Sequence, residues 1–162
     1  MVLLFRRSTY VGLLSAPFWL FVFRIVARRR VAQVSKRQIV SVVDDDASVR
    51  SALESLVRSL GFVPFVFESA EDFLSSPRVD DSACLITDVQ MPGMNGLDLQ
   101  DRLIAQGRRI PIIFITAFPE QAIQRRAQAR GALGFLEKPF RGGAMIELLR
   151  RTIAAQPPCQ SP

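Results

Sequence analysis

IVSVVDDDASVRSALESLVRSLG, residues 39–61, decides the fold. Four of the five residues in Ile39–Val43 are β-branched aliphatics, and they do not alternate with polar residues. A parallel strand buried on both faces has that composition. Asp44-Asp45-Asp46 closes the run, and Asp46 stands where a side-chain oxygen can cap the helix that follows. The spacing of Val49, Leu53, Leu56, Val57 and Leu60 predicts an amphipathic helix from Ala47 to about Leu60, stopped by Gly61. Val63–Phe67 reads as the next strand.

The same alternation continues outward. Ser69-Ala70-Glu71-Asp72 resembles a capping box that opens a short helix to about Ser75. Ala83–Thr87 is the third strand, ending at Asp88. After the turn Met91-Pro92-Gly93-Met94-Asn95-Gly96, a helix runs from about Leu97 to Gln106, with Asn95 or Gly96 near its start. Pro111–Ile115 is the fourth strand, with proline where a missing donor costs little. Glu120–Arg130 is a helix whose Arg125, Arg126 and Arg130 read as solvated. Leu133–Leu136 is a short fifth strand, and Ala144–Ala155 a last amphipathic helix. This pattern predicts an α/β fold with a doubly wound five-stranded parallel sheet, order 2-1-3-4-5, covered by helices on both faces. In that order the ligand crevice lies between the first and third strands, which end in Asp44-Asp45-Asp46 and Asp88.

Composition narrows the chemistry. The 162 residues carry a net charge of +6, but residues 1–43 hold eight basic residues and no acid. From residue 44 onward there are 13 basic and 15 acidic residues, so the body is mildly acidic. There is no histidine. That excludes Ser-His-Asp and Cys-His catalysis, His-ligated zinc, and a phosphohistidine-carrier role. The two cysteines, Cys84 in an apolar run and Cys159 near the end, form no disulfide framework. The body reads as cytoplasmic.

Residues 1–37 are set apart as a basic and apolar leader. Residues 8–23 carry no charge, and sixteen residues is short against the about 20 that span a bilayer. The leader reads as a weak inner-face membrane anchor through residues 8–27, an interfacial basic segment, or a stretch outside the working protein. Val34-Ser35-Lys36-Arg37-Gln38 reads like a natural domain start. The folded domain is expected over 38–155, with 156–162 a flexible tail.

Neighbouring carboxylates raise each other's pKa unless a cation neutralises them, and Mg²⁺ suits an all-oxygen cluster. A run of three aspartates alone reads first as a solvated turn that caps a helix. The signal comes from the other strand ends on the same edge, with Thr116 after the fourth and Lys138 after the fifth. A hydroxyl and an ammonium facing a carboxylate crevice suit a phosphoryl group.

The chain resembles the receiver domain of two-component response regulators, in the flavodoxin-like receiver fold, across residues 38–155. The matching pieces are IVSVVDDD, LITDVQMPGMNGLDL around Asp88, IIFITA at Thr116 and GALGFLEKPF around Lys138. The resemblance implies that Asp88 is the phosphoacceptor. It implies that Asp45, Asp88 and the main-chain carbonyl of Gln90 ligate Mg²⁺, or Mn²⁺ in its place, with Asp44 acting through a bound water. Lys138 would pair with phosphoryl oxygens or Asp88, Thr116 would turn inward, and Phe135 would be the aromatic switch. Gln90 and Phe118 would flank the path of attacking water. Pro92 and Gly96 would shape the loop that aims Asp88, and the Lys138–Pro139 bond would be cis. The implied partners are a sensor histidine kinase or histidine phosphotransfer protein and an unknown downstream protein. A homodimer through the fourth-helix, fifth-strand, fifth-helix face is a further expectation, and nucleic acid is not an expected partner. The expected protein is a stand-alone receiver that acts only on its own phosphoryl group and is otherwise no enzyme.

Three rivals set the contrast. A haloacid-dehalogenase-like phosphatase would use Asp44 as nucleophile and Asp46 as acid/base, yet it needs an acidic pair after Lys138, where only Glu147 follows. A degenerate receiver would act as a phosphorylation-independent binding module. A DNA-binding regulator would depend on the basic leader, whose apolar run suits a membrane better.

Overall fold

The computed structural model describes residues 38–154. The leader 1–37 and the tail 156–162 lie outside the described residues. Among the described residues no helix is long and apolar enough to cross a membrane. The elements alternate as β1 (Ile39–Val43), α1 (Ala47–Ser59), β2 (Val63–Phe67), α2 (Ala70–Ser75), β3 (Ser82–Asp88), α3 (Gly96–Ala105), β4 (Ile112–Thr116), α4 (Gln121–Ala129), β5 (Gly134–Glu137) and α5 (Gly142–Ala154). A 3₁₀ turn at Pro77–Val79 precedes β3.

The strands form one parallel sheet in the order β2-β1-β3-β4-β5. Alternate side chains of each strand point to opposite faces, so the sheet carries two cores. Val43, Leu85, Ile112 and Phe114 pack with Phe73 of α2 and with Leu99 and Leu103 of α3. Val40, Val42, Cys84, Ile86, Ile113 and Ile115 pack with Leu53 and Val57 of α1 and with Met145 and Leu149 of α5. Burying a side chain such as Phe73, fully enclosed, stabilises the fold by roughly 1.5–3 kcal/mol. Cys84 is a core residue of this kind, and burial pushes its thiol up to about 12.

Three helices begin as the local sequence predicts. Asp46 accepts from the Ser48 N–H, Ser69 from the Asp72 N–H and Asn95 from the Asp98 N–H, at 2.7, 3.1 and 2.9 Å. Past the end of α1, Gly61 takes φ +85°, the left-handed region that suits glycine. The remaining differences are at boundaries. β3 and β4 each reach one residue further than predicted, to Asp88 and Thr116, and α5 starts two residues earlier, at Gly142.

Candidate phosphoryl and metal site

The carboxyl ends of β1, β3, β4 and β5 bring the predicted groups to one edge. Asp44 follows β1 and is fully buried, and Asp88 is the last residue of β3 and 6% exposed. Lys138 follows β5. Its ammonium donates to Asp44 Oδ2 at 2.8 Å and to Asp88 Oδ2 at 2.5 Å. Each of these carboxylates is also held by main chain. Asp44 Oδ1 accepts from the Asp46 N–H at 2.9 Å, and Asp88 Oδ1 from the Gln90 N–H at 3.0 Å.

Asp45 completes a triad whose carboxylate oxygens lie within 4.8 Å of one another. It is exposed, and among the described residues its carboxylate accepts no hydrogen bond. Asp46 faces away to cap α1, and the Ser48 N–H holds its carboxyl below the usual range. Among these four side chains, three carboxylates against one ammonium leave two negative charges. Burial pushes the Asp44 carboxyl up despite its bond to Lys138. Desolvation pulls Lys138 down, but its bonds to Asp44 and Asp88 outweigh this and leave it raised. The donor set, all oxygen with a residual double negative charge, fits a divalent hard cation. The main-chain carbonyl of Gln90 accepts no hydrogen bond among the described residues, which leaves it available as a further oxygen ligand.

Thr116 is fully buried at the end of β4. Its hydroxyl bonds the main chain of Phe118, accepting from N–H at 3.1 Å, so here it is held by the β4–α4 turn. Its carbonyl accepts from the Lys138 N–H at 2.7 Å, and this bond joins the two strand ends. The Lys138–Pro139 bond is cis, as expected. Phe135 lies within β5, half-buried, its ring 5.9 Å from that of Phe114. Phe118 is 63% exposed beside the site.

The loop after Asp88 is shaped as the sequence suggested. A Cβ on Gly96 would fall 2.2 Å from the Asp88 carbonyl oxygen, so only glycine lets α3 start this close to β3. The Gly96 N–H donates to the Val89 carbonyl at 3.0 Å. Pro92 is exposed at the bend.

Two contacts were beyond the sequence reading. Glu71 of α2 accepts from the Met94 N–H at 3.0 Å and so holds the same loop from a distant element. Arg50 of α1 donates to the main-chain carbonyls of Asp44 and Asp45. The phosphatase reading lacks its metal ligands, since Glu147 is exposed on α5 and does not join the acidic cluster.

The family model described as the response regulator receiver domain matches residues 40–150. Nodulation protein W of Bradyrhizobium diazoefficiens is 43% identical over 123 residues, covering 76% of this chain and 53% of that protein. Among solved structures, the response regulator StyR is 42% identical with a TM-score of 0.68, over 73% of this chain and 60% of that one. The FixJ-N crystal structure is 33% identical with a TM-score of 0.67, over 75% of this chain and 98% of that one. The chain spans about half the length of the curated relatives it matches.

Proposed function

Because this chain belongs to the response regulator receiver domain family, we propose that it is a phosphoacceptor that takes a phosphoryl group onto Asp88. The observation that carries this is the Lys138 ammonium, bonded to both Asp44 and Asp88 inside the acidic triad. The donor is a phosphohistidine on a sensor histidine kinase or histidine phosphotransfer protein, since this chain has no histidine of its own.

In the transfer, an Asp88 carboxylate oxygen forms a bond to phosphorus as the P–N bond of the donor breaks, and the donor ring, protonated on its other nitrogen, leaves as neutral imidazole. Bound Mg²⁺, or Mn²⁺, would offset charge on the phosphoryl oxygens. Asp45, Asp88 and the Gln90 carbonyl would hold it directly, and Asp44 through a water. Once Asp88 is an acyl phosphate, Lys138 exchanges its carboxylate partner there for a phosphoryl oxygen. Thr116, on the adjacent strand end, would release the Phe118 main chain to donate its hydroxyl to the same group. That shift favours inward packing of Phe135 and remodels the face made by α4, β5 and α5. Output is then contact with a downstream protein, pairing of two copies through that face, or onward phosphotransfer. The only reactions promoted are gain and loss of the protein's own phosphoryl group.

Intact-mass measurement of the full chain after acetyl phosphate, with and without Mg²⁺, tests the proposal. The expected result is one phosphoryl group added only with Mg²⁺, and none on Asp88→Asn. A folded wild type that gains no phosphoryl group under either condition would overturn it in favour of a phosphorylation-independent binding module.

A further inference from the structure

We propose that Arg50 is a positioning residue for the divalent-cation site, acting through the main chain to set the aim of Asp45. The inference rests on reading the acidic cluster as that site. Its basis is an account of the backbone between β1 and α1. The Asp44 N–H donates to the Phe67 carbonyl at 3.3 Å, the last bond on the strand side, and the Asp46 carbonyl accepts from the Arg50 N–H at 3.0 Å, the first of the helix. The carbonyls of Asp44 and Asp45 fall between, outside both ladders, and need other donors. Arg50, one turn into α1, supplies both from one nitrogen. Its Nη1 donates to the Asp44 carbonyl at 2.8 Å and to the Asp45 carbonyl at 2.9 Å.

Those two carbonyls belong to the peptide planes on either side of the Asp45 Cα. Each plane is rigid, so holding both sets the direction of the Asp45 Cα–Cβ bond. The other two acids of the triad do not depend on this device. Asp44 and Asp88 each have both carboxylate oxygens held, by Lys138 and by a neighbouring N–H. The Asp45 carboxylate has no such support among the described residues. The plane after Asp45 is also held through the Asp46 N–H bond to Asp44 Oδ1, whereas the plane before it, carrying the Asp44 carbonyl, is held by Arg50, so the Arg50 clamp completes the support for the Asp45 orientation.

Charge and positioning make opposite predictions. Arg50 is a cation beside a cation site, so by charge alone its removal tightens Mg²⁺ binding. As a positioning residue its removal weakens binding, by roughly tenfold or more, as is typical of groups that orient metal ligands.

The test is Mg²⁺ titration of the EDTA-treated full chain, followed by NMR shifts, for wild type, Arg50→Met, Asp45→Asn and the double variant. The expected result is weaker binding for Arg50→Met and no further loss when it is added to Asp45→Asn. A folded Arg50→Met that binds as tightly as wild type, or more tightly, overturns the proposal, as does full additivity in the double variant. Should Arg50→Met fail to fold, Arg50→Gln is judged by the same criteria. A wild type that binds no Mg²⁺ removes the metal reading itself. Binding by wild type without an effect at Arg50 removes only this inference.

Discussion

Asp44 shows how the site trades stability for charge. It is fully buried, and burial holds its folded-state pKa above that of the unfolded chain. Its stabilising contribution is therefore complete below the unfolded value of about 3.9 and is lost as pH rises through the raised folded value. Asp44→Asn does not titrate and keeps an acceptor for Lys138. In EDTA it should equal wild type near about pH 4 and be the more stable of the two near about pH 7.5. Urea unfolding at both values checks this, and a gain that does not grow with pH would contradict it. The same substitution should slow phosphorylation, because the charge it removes belongs to the cation site.

Element packing decides how Asp88 is presented. Gly96 begins α3 against the β3 main chain, and its missing Cβ is what permits the approach. Gly96→Ala must move the helix or the strand end, at a cost of about 2–3 kcal/mol. Denaturant melts and phosphorylation rates would show the loss together. α4 is held in another way, since it buries only Ala127. Besides Ala127, and Ile123 packed against the same apolar cluster, its ties to α3 are polar. Arg126 and Arg130 pair with Asp101, and Gln100 Nε2 donates to the Ala127 and Arg130 carbonyls at 3.3 and 3.4 Å. Exposed ion pairs of this kind contribute about 0–1 kcal/mol each. α4 should therefore exchange its amide hydrogens faster than the other helices, and Gln100→Ala should quicken it further. Hydrogen-exchange mass spectrometry resolves both effects, and protection of α4 equal to that of α1 would refute the first. A weakly held helix on the face proposed to respond to phosphorylation suits a switch.

Across the whole domain, one sheet serves two cores. Ile112 and Ile113 are neighbours in sequence, yet they enter opposite clusters. Each Ile→Val change should cost about 1 kcal/mol. The pair should add to within about 0.5 kcal/mol, because the removed methyl groups share no packing partners. Both variants should still unfold in a single transition, since the strands between the cores belong to both. Calorimetry of the single and double variants tests additivity and cooperativity together.

What the sequence determined by itself is local. Strands, helices and three caps follow from side-chain period and from oxygens placed two or three residues before the N–H they accept. Asp88 and Lys138 stood out because each ends a strand with a charge. Boundaries slipped by one or two residues where glycine or proline left the local preference weak, as at Gly142 and Pro111. Arg126 and Arg130 read as solvated, and they are exposed, but their pairing with Asp101 depends on how α3 and α4 lie together. The tertiary structure alone decided that one ammonium bridges Asp44 and Asp88, 94 and 50 residues away in the chain. It also placed Glu71 on the Met94 main chain and turned Arg50 back onto the acidic turn. The reason is range. A cap or an apolar stripe is set by neighbours within a turn or two of the chain, whereas a shared counter-charge exists only once strand order and register bring distant strand ends to one edge.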